Sequence, residues 1–169
     1  MLWILCFLLA LAVIHDLRER RIPNYLTVGG AILAVGLAAY RGGPEALAAA
    51  LLAMLLGALA YLPFFALRLV GAGDVKLFGV VGGFVGLQAL LPVWIYTALA
   101  GGLLGIGAVA LSHSFPQFLG NLKLFLISRT YRVPAAEVPL QSIATQTAVR
   151  VPYAAAIAAG VIIWMVSQS

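Results

Sequence analysis

The sequence predicts an all-α, polytopic membrane protein with six transmembrane helices and an N-terminus on the outside. Of its 169 residues, 64% are hydrophobic and only 9% are charged, and the mean hydropathy is +1.10. An average soluble domain carries about a quarter charged residues. The net charge of +5 comes from basic residues in short loops between apolar runs, which is typical of membrane topology. We therefore expect membrane lipid as a partner and no nucleic acid.

The first three spans are apolar runs that end at charged or glycine-rich turns. An apolar helix of about 20 residues crosses the roughly 30 Å hydrocarbon core. The first run has no basic residues before it, so we interpret it as a retained helix rather than a cleaved signal peptide. Pro23 and Asn24, after the charged stretch 15–21, mark the stop of this helix. The predicted spans are about 2–21, 25–40 and 46–67.

The last three spans follow the Gly-Ala-Gly-Asp sequence at 71–74. No charged residue occurs from 77 to 111, a stretch too long for one crossing, and Gln88 and Pro92 indicate where the chain folds back. The polar segment 112–150 is predicted to be cytoplasmic, with an interfacial helix or a lid over 115–129. These spans are about 74–91, 93–111 and 151–166, and all six belong to one membrane-embedded domain, 1–169.

Charge topology brings two acids to the same side of the membrane. With the N-terminus outside, Arg41 is the only basic residue left outside, as the positive-inside rule requires. Asp16 and Asp74, the only aspartates in the chain, then both lie at the cytoplasmic boundary. A carboxylate at the edge of the hydrocarbon is costly unless it serves a function. This placement predicts a functional pair.

Two carboxylates that share a site cannot both ionise cheaply, so one can act as general acid and the other as general base. Such a pair can hydrolyse a peptide bond without a metal or a cofactor, and we predict neither. Asp74 stands like an N-cap, where a negative charge is favoured, whereas Asp16 is in the last turns of its helix, where it is disfavoured. The initial hypothesis is that Asp74 is the base and Asp16 the acid.

A proton- or cation-coupled carrier or channel subunit is the alternative, because transporters also use intramembrane acids. Transporter sites lie near the midplane of the bilayer, between repeated halves. Here both acids are near one face, and no repeat is evident. The sequence therefore favours the peptidase.

Four other residues are predicted to support the site. Gly71 and Gly73 allow the backbone to turn sharply and to approach a substrate closely. Lys76 either sets topology or contacts substrate, and we assign it the substrate role. Asn24 either hydrogen-bonds near Asp16 or caps the second helix.

Three motifs carry a resemblance to a known family. They are D-x-R-x-x-x-I-P-N at 16–24, G-A-G-D-V-K-L at 71–77 and R-V-P-Y-A at 150–154. With them the chain resembles the type IV prepilin peptidases, and more narrowly the small members associated with Flp (tight adherence) pili.

The resemblance implies that Asp16 and Asp74 are the catalytic aspartates of a bacterial inner-membrane, multi-pass enzyme. The substrate would be a prepilin or pseudopilin with a transmembrane helix, cut after a glycine at the cytoplasmic face. Larger members carry an N-terminal extension with Cys-x-x-Cys motifs and also N-methylate the new terminus. This chain begins with its first span and has one cysteine, Cys6. We therefore expect cleavage without methylation.

Overall fold

The computed structural model describes residues 1–67, 69–111 and 152–168, and within them the backbone of 109–111 without its side chains. All regular structure in these residues is α-helical, which confirms the predicted fold class at that level. The predicted cytoplasmic segment 112–150 lies outside the described residues. The helices are α1 (Leu2–Glu19), α2 (Asn24–Ala66), α3 (Ala72–Val85), α4 (Leu87–Leu111) and α5 (Tyr153–Ser167).

The chain divides into two compact units. One comprises Met1–Gly101 with Pro152–Ser169 and contains α1, α2, α3, α5 and most of α4. The other, Gly102–Val151, is described only for its first ten residues, which continue α4. The candidate site lies entirely in the first unit.

Helix α2 is two antiparallel arms rather than one straight rod. Its dihedral angles leave the helical region at Gly42 and at Gly43, where φ is +64° and ψ is −156°, and Pro44 then begins the second arm. A straight helix would separate Ala34 from Met54 by about 30 Å. An added Cβ on Gly83 would nevertheless lie 3.1 Å from Ala34 Cβ and 2.7 Å from Met54 Cγ. The chain therefore folds back at the glycine pair, as the sequence predicted for the turn at 41–45.

Helix α3 is the centre of the first unit. Residues 77–84 are buried without interruption, against α1, both arms of α2 and α5. Its glycines allow this close packing: an added Cβ on Gly57 of α2 would lie 2.9 Å from the carbonyl oxygen of Phe78. The helix ends at Gly86, where φ is +80°. The break before α4 is therefore at Gly86, and not between Gln88 and Pro92 as expected from the sequence. The chain breaks at a glycine because a positive φ favours that residue.

The surface of this unit suits lipid. Large apolar side chains face outward along the helices, among them Trp3, Phe7, Ile32 and Leu55, all more than half exposed. By length and composition, α2 and the segment Leu87–Ala108 of α4 are candidate membrane spans. Length and composition thus support two of the six predicted crossings, and the orientation stays a prediction.

Candidate active site

Asp16 is held by the start of another helix. It lies one turn before the end of α1, and its side chain is buried, with 9% of its surface exposed. Its Oδ2 accepts a hydrogen bond of 3.1 Å from the backbone N–H of Ala154, in the first turn of α5. Helix N-termini carry a partial positive charge and free N–H donors. The end of α1 disfavours a negative charge on Asp16, as the sequence indicated, but α5 supplies a donor that stabilises it.

Asp74 lies in the first turn of α3, although not at the N-cap that the sequence suggested. Gly71 is the N-cap, and its N–H donates to Asp74 Oδ2 at 2.8 Å. This is the reciprocal half of a capping box, in which the third helical residue reaches back to the N-cap amide. Asp74 is outside both candidate membrane spans and is 9% exposed. Burial raises its pKa to about 6, the nearby Asp16 carboxylate adds to the rise, and the Gly71 N–H opposes it.

The two aspartates line one pocket of about 230 Å³. A water molecule occupies about 30 Å³ in the liquid, so the pocket has room for several. The rest of its lining comes from the α1–α2 turn and from the start of α3, and consists of Arg20, Arg21, Ile22, Gly71, Ala72 and Gly73. The start of α3 therefore contributes small residues to the lining, and the α1–α2 turn contributes both arginines.

The two predicted glycines lie in this pocket, for a reason other than a sharp turn. Gly71 has φ −84° and ψ 161°, an ordinary extended conformation, and Gly73 is inside α3. An added Cβ on Gly73 would lie 3.0 Å from Ile22 Cβ, a contact closer than side chains normally make. Glycine at position 73 thus permits the close approach of Ile22.

Lys76 and Asn24 are brought together across the sequence. Lys76 Nζ donates a hydrogen bond of 2.9 Å to Asn24 Oδ1. Asn24 is the first residue of α2, whose N-cap is Pro23, and its side chain bonds Lys76 rather than Asp16. The pair ties the turn after Asp16 to the first turns of α3.

Sequence reasoning missed several contributors. Ile22, Arg20 and Arg21 line the pocket, and the Ala154 amide binds Asp16. The isoleucine of D-x-R-x-x-x-I-P-N and the alanine of R-V-P-Y-A were the available signals. Outside the pocket lining, His15 donates through Nδ1 to the Leu11 carbonyl and accepts a hydrogen bond from the Tyr25 hydroxyl at Nε2, both at 2.9 Å. Within the described residues, no three His, Cys, Asp or Glu side chains are grouped to hold a metal ion.

Residues 3–106, more than half of the chain, match the model of the type IV leader peptidase family. The match includes both aspartates and the whole lining of the pocket, and ends within α4. No curated protein and no solved structure matches the chain.

Proposed function

Because the chain belongs to the type IV leader peptidase family, we propose that Asp16 and Asp74 form an aspartyl dyad that activates water to cut the leader of a prepilin. The family is one of proteases, so the chain is a peptidase rather than a carrier or channel subunit. The observation that carries the proposal is the pocket shared by the two carboxylates.

The reaction needs one carboxylate to take a proton and the other to give one. The base removes a proton from water, whose oxygen attacks the scissile carbonyl carbon, while the acid protonates the carbonyl oxygen. The C–N bond of the tetrahedral intermediate then breaks: the base gives the amine the proton first taken from water, and a hydroxyl of the intermediate returns a proton to the acid. Every proton is thus exchanged between the dyad, the water and the peptide.

We propose Asp16 as the base and Asp74 as the acid, the reverse of the roles that their helix positions suggested from the sequence. Asp16 receives the Ala154 N–H at the positive end of α5, which supports its role as the ionised base. Asp74 is buried and has its pKa raised to about 6, which supports its role as the protonated acid. Two interacting carboxylates titrate as a pair, so these roles describe the predominant singly protonated form.

The proposed location is the inner membrane of a bacterium, with six spans and the pocket at the cytoplasmic face. The basic residues at the pocket end of the described helices support this orientation, because cytoplasmic ends are enriched in Lys and Arg. Arg41 is at the opposite end, in the turn between the arms of α2. The pocket-end cations are Arg18, Arg20, Arg21 and Lys76.

The proposed substrate is a prepilin or pseudopilin cut after a glycine, with its transmembrane helix left in the bilayer. Cleavage without N-methylation is part of the proposal. The single cysteine, Cys6, cannot form the paired Cys-x-x-Cys motifs that accompany methylation in larger relatives.

Lys76 and Asn24 are proposed as supporting residues. Their hydrogen bond joins the segments that carry the two aspartates. Substrate contact by Lys76 stays a prediction, and its hydrogen bond to Asn24 supports a further role in holding the α1–α2 turn in place. Gly71 and Gly73 line the pocket from the start of α3.

Co-expression with a prepilin tests the dyad through the mobility shift that leader removal produces. We expect Asp16→Asn and Asp74→Asn each to reduce cleavage by at least about a thousandfold, because each role in the proton transfers is lost. Glu19→Gln is the matched control, since Glu19 is an exposed acid in the same helix as Asp16 and outside the pocket lining. Retained cleavage by either Asp→Asn variant, at normal membrane yield, would refute the dyad.

A further inference from the structure

Among the described residues that line the pocket, Ile22 is the only bulky apolar one. Gly71, Ala72 and Gly73, which also line the pocket, present little side chain. Ile22 lies directly on this strip: a Cβ added to Gly73 would be 3.0 Å from its Cβ, 3.5 Å from Cγ1 and 3.6 Å from Cδ1. The described lining beside the dyad therefore combines one isoleucine side chain with nearly bare backbone.

The position of Ile22 is fixed from both directions along the chain. Before it, Arg20 ends α1 in a left-handed conformation, and its N–H donates a hydrogen bond of 3.0 Å to the Asp16 carbonyl. After it, Pro23 restricts its backbone to extended conformations, and Asn24 is bonded to Lys76. Its β-branched side chain also has restricted χ1 rotation. Ile22 therefore cannot readily move aside when a peptide enters.

A substrate must place its scissile peptide within reach of both carboxylates, and hence beside Ile22. The arginines that share the lining are long and solvent-exposed, so they can yield to a substrate side chain. Ile22 is packed against Gly73 and cannot. A side chain on the residue that precedes the scissile bond would compete with Ile22 for the same space, whereas glycine has none.

We infer that Ile22 determines specificity by limiting the size of the residue whose carbonyl is attacked, so that glycine is accepted and larger residues are rejected. This inference rests on the proposed peptidase function. The Ile22 side chain over Gly73 would recognise the substrate, which is a peptide with glycine before the scissile bond.

The test compares two prepilins that differ only by Gly→Ala before the scissile bond, each co-expressed with wild type, Ile22→Ala, Ile22→Val or Ile14→Ala. Ile14 is the matched control, because it is an isoleucine of α1 that is 46% exposed and outside the pocket lining. The readout is the ratio of the cleavage rates for the alanine and glycine prepilins. A ratio cancels differences in enzyme yield.

We expect Ile22→Ala to raise the alanine-to-glycine ratio by about tenfold over wild type, since one methyl group in an apolar pocket changes discrimination by about 10- to 200-fold. Ile22→Val should raise it less, and Ile14→Ala should leave it unchanged. An unchanged ratio in Ile22→Ala would overturn the inference. If Ile22→Ala cleaves neither prepilin, the ratio in Ile22→Val decides in the same way.

The results separate a failure of the peptidase assignment from a failure of the proposed role of Ile22. Wild type that cuts neither prepilin contradicts the peptidase assignment for this substrate. Wild type that cuts the glycine prepilin, with the same ratio in every variant, contradicts only the role of Ile22. Equal cleavage of both prepilins by wild type also contradicts the role of Ile22.

Discussion

At the scale of single residues, Asp16 and Asp74 have the same kind of partner in different settings. Each accepts one backbone N–H, but the donor to Asp74 is the neighbouring Gly71, whereas the donor to Asp16 is 138 residues away at Ala154. Local hydrogen bonding alone would make the two carboxylates alike. Both side chains are 9% exposed, and burial raises the pKa of Asp74 to about 6, which suits the general acid of a dyad.

The raised pKa of Asp74 predicts the pH dependence of cleavage. A raised pKa keeps the carboxyl protonated to higher pH, so the acid is available below about pH 6 and is lost as pH rises above it. We expect kcat/KM, which reports on the free enzyme, to fall by about tenfold per pH unit well above the pKa. Purified enzyme and a prepilin peptide measured from pH 5 to about 9 would check this. A kcat/KM that rises between pH 6 and 8 would show that Asp74 is not the acid.

The Asn24–Lys76 hydrogen bond predicts coupled effects of mutation. We expect Asn24→Ala or Lys76→Ala to lower cleavage about fivefold, since an exposed hydrogen bond contributes about 1 kcal/mol. The double variant should be no worse than either single one, because both changes remove the same contact. Initial cleavage rates in membranes at matched enzyme levels are the measurement. Arg41→Ala, a cation at the other end of α2, is the control, and normal cleavage by Lys76→Ala would contradict the supporting role.

At the scale of helices, the close packing of α3 against the second arm of α2 positions the site. A Cβ on Gly79 would lie 3.1 Å from the Met54 carbonyl oxygen, and one on Gly82 would overlap the carbonyl oxygen of Ala53. Small residues allow helix backbones to approach closely in membranes, where the hydrophobic effect does not drive helices together. The start of α3, and with it Asp74, is therefore placed by contacts along the rest of that helix.

Adding one methyl group at Gly82 tests this packing. We expect Gly82→Ala to destabilise the protein by about 1–3 kcal/mol, because the backbones of two helices must separate. Gly36→Ala is the matched control: an added Cβ there meets nothing within 4 Å, and alanine is the better helix former by about 1 kcal/mol. Thermal unfolding midpoints in detergent should fall for Gly82→Ala and stay equal or rise for Gly36→Ala. Equal midpoints for the two variants would argue against backbone contact at Gly82.

At the scale of the first unit, charge is confined to the ends of the helices and apolar side chains cover their length. The pocket end carries both aspartates, and the opposite end of α2 carries Arg41 and Glu45. The long apolar surface between them would be unfavourable in water. This separation suits a bilayer, and it supports the proposed location of the pocket at one membrane surface.

Single cysteines test the orientation of the whole chain. In a Cys6→Ser background, Glu45→Cys and Glu19→Cys place a thiol at exposed positions at the two ends. We expect a membrane-impermeant maleimide to label Glu45→Cys in intact spheroplasts and Glu19→Cys only in inverted vesicles, because positively charged ends stay cytoplasmic. The cysteine-free protein controls for background labelling. The reverse pattern would place the pocket outside.

The sequence by itself determined the helical class, the turn between the arms of α2, and the placing of Asp16 and Asp74 at helix ends. These follow from the cost of burying charge in lipid and from the local preferences of glycine and proline, which are properties of short segments. Only the tertiary structure decided that α5 donates to Asp16, that Lys76 binds Asn24, and that Ile22 lies over Gly73. Each of these contacts joins residues about 50 or more positions apart, so it depends on how helices pack, and no local pattern encodes it. For this reason the pair of acids could be predicted from the sequence, whereas the hydrogen-bond donor to Asp16 could not.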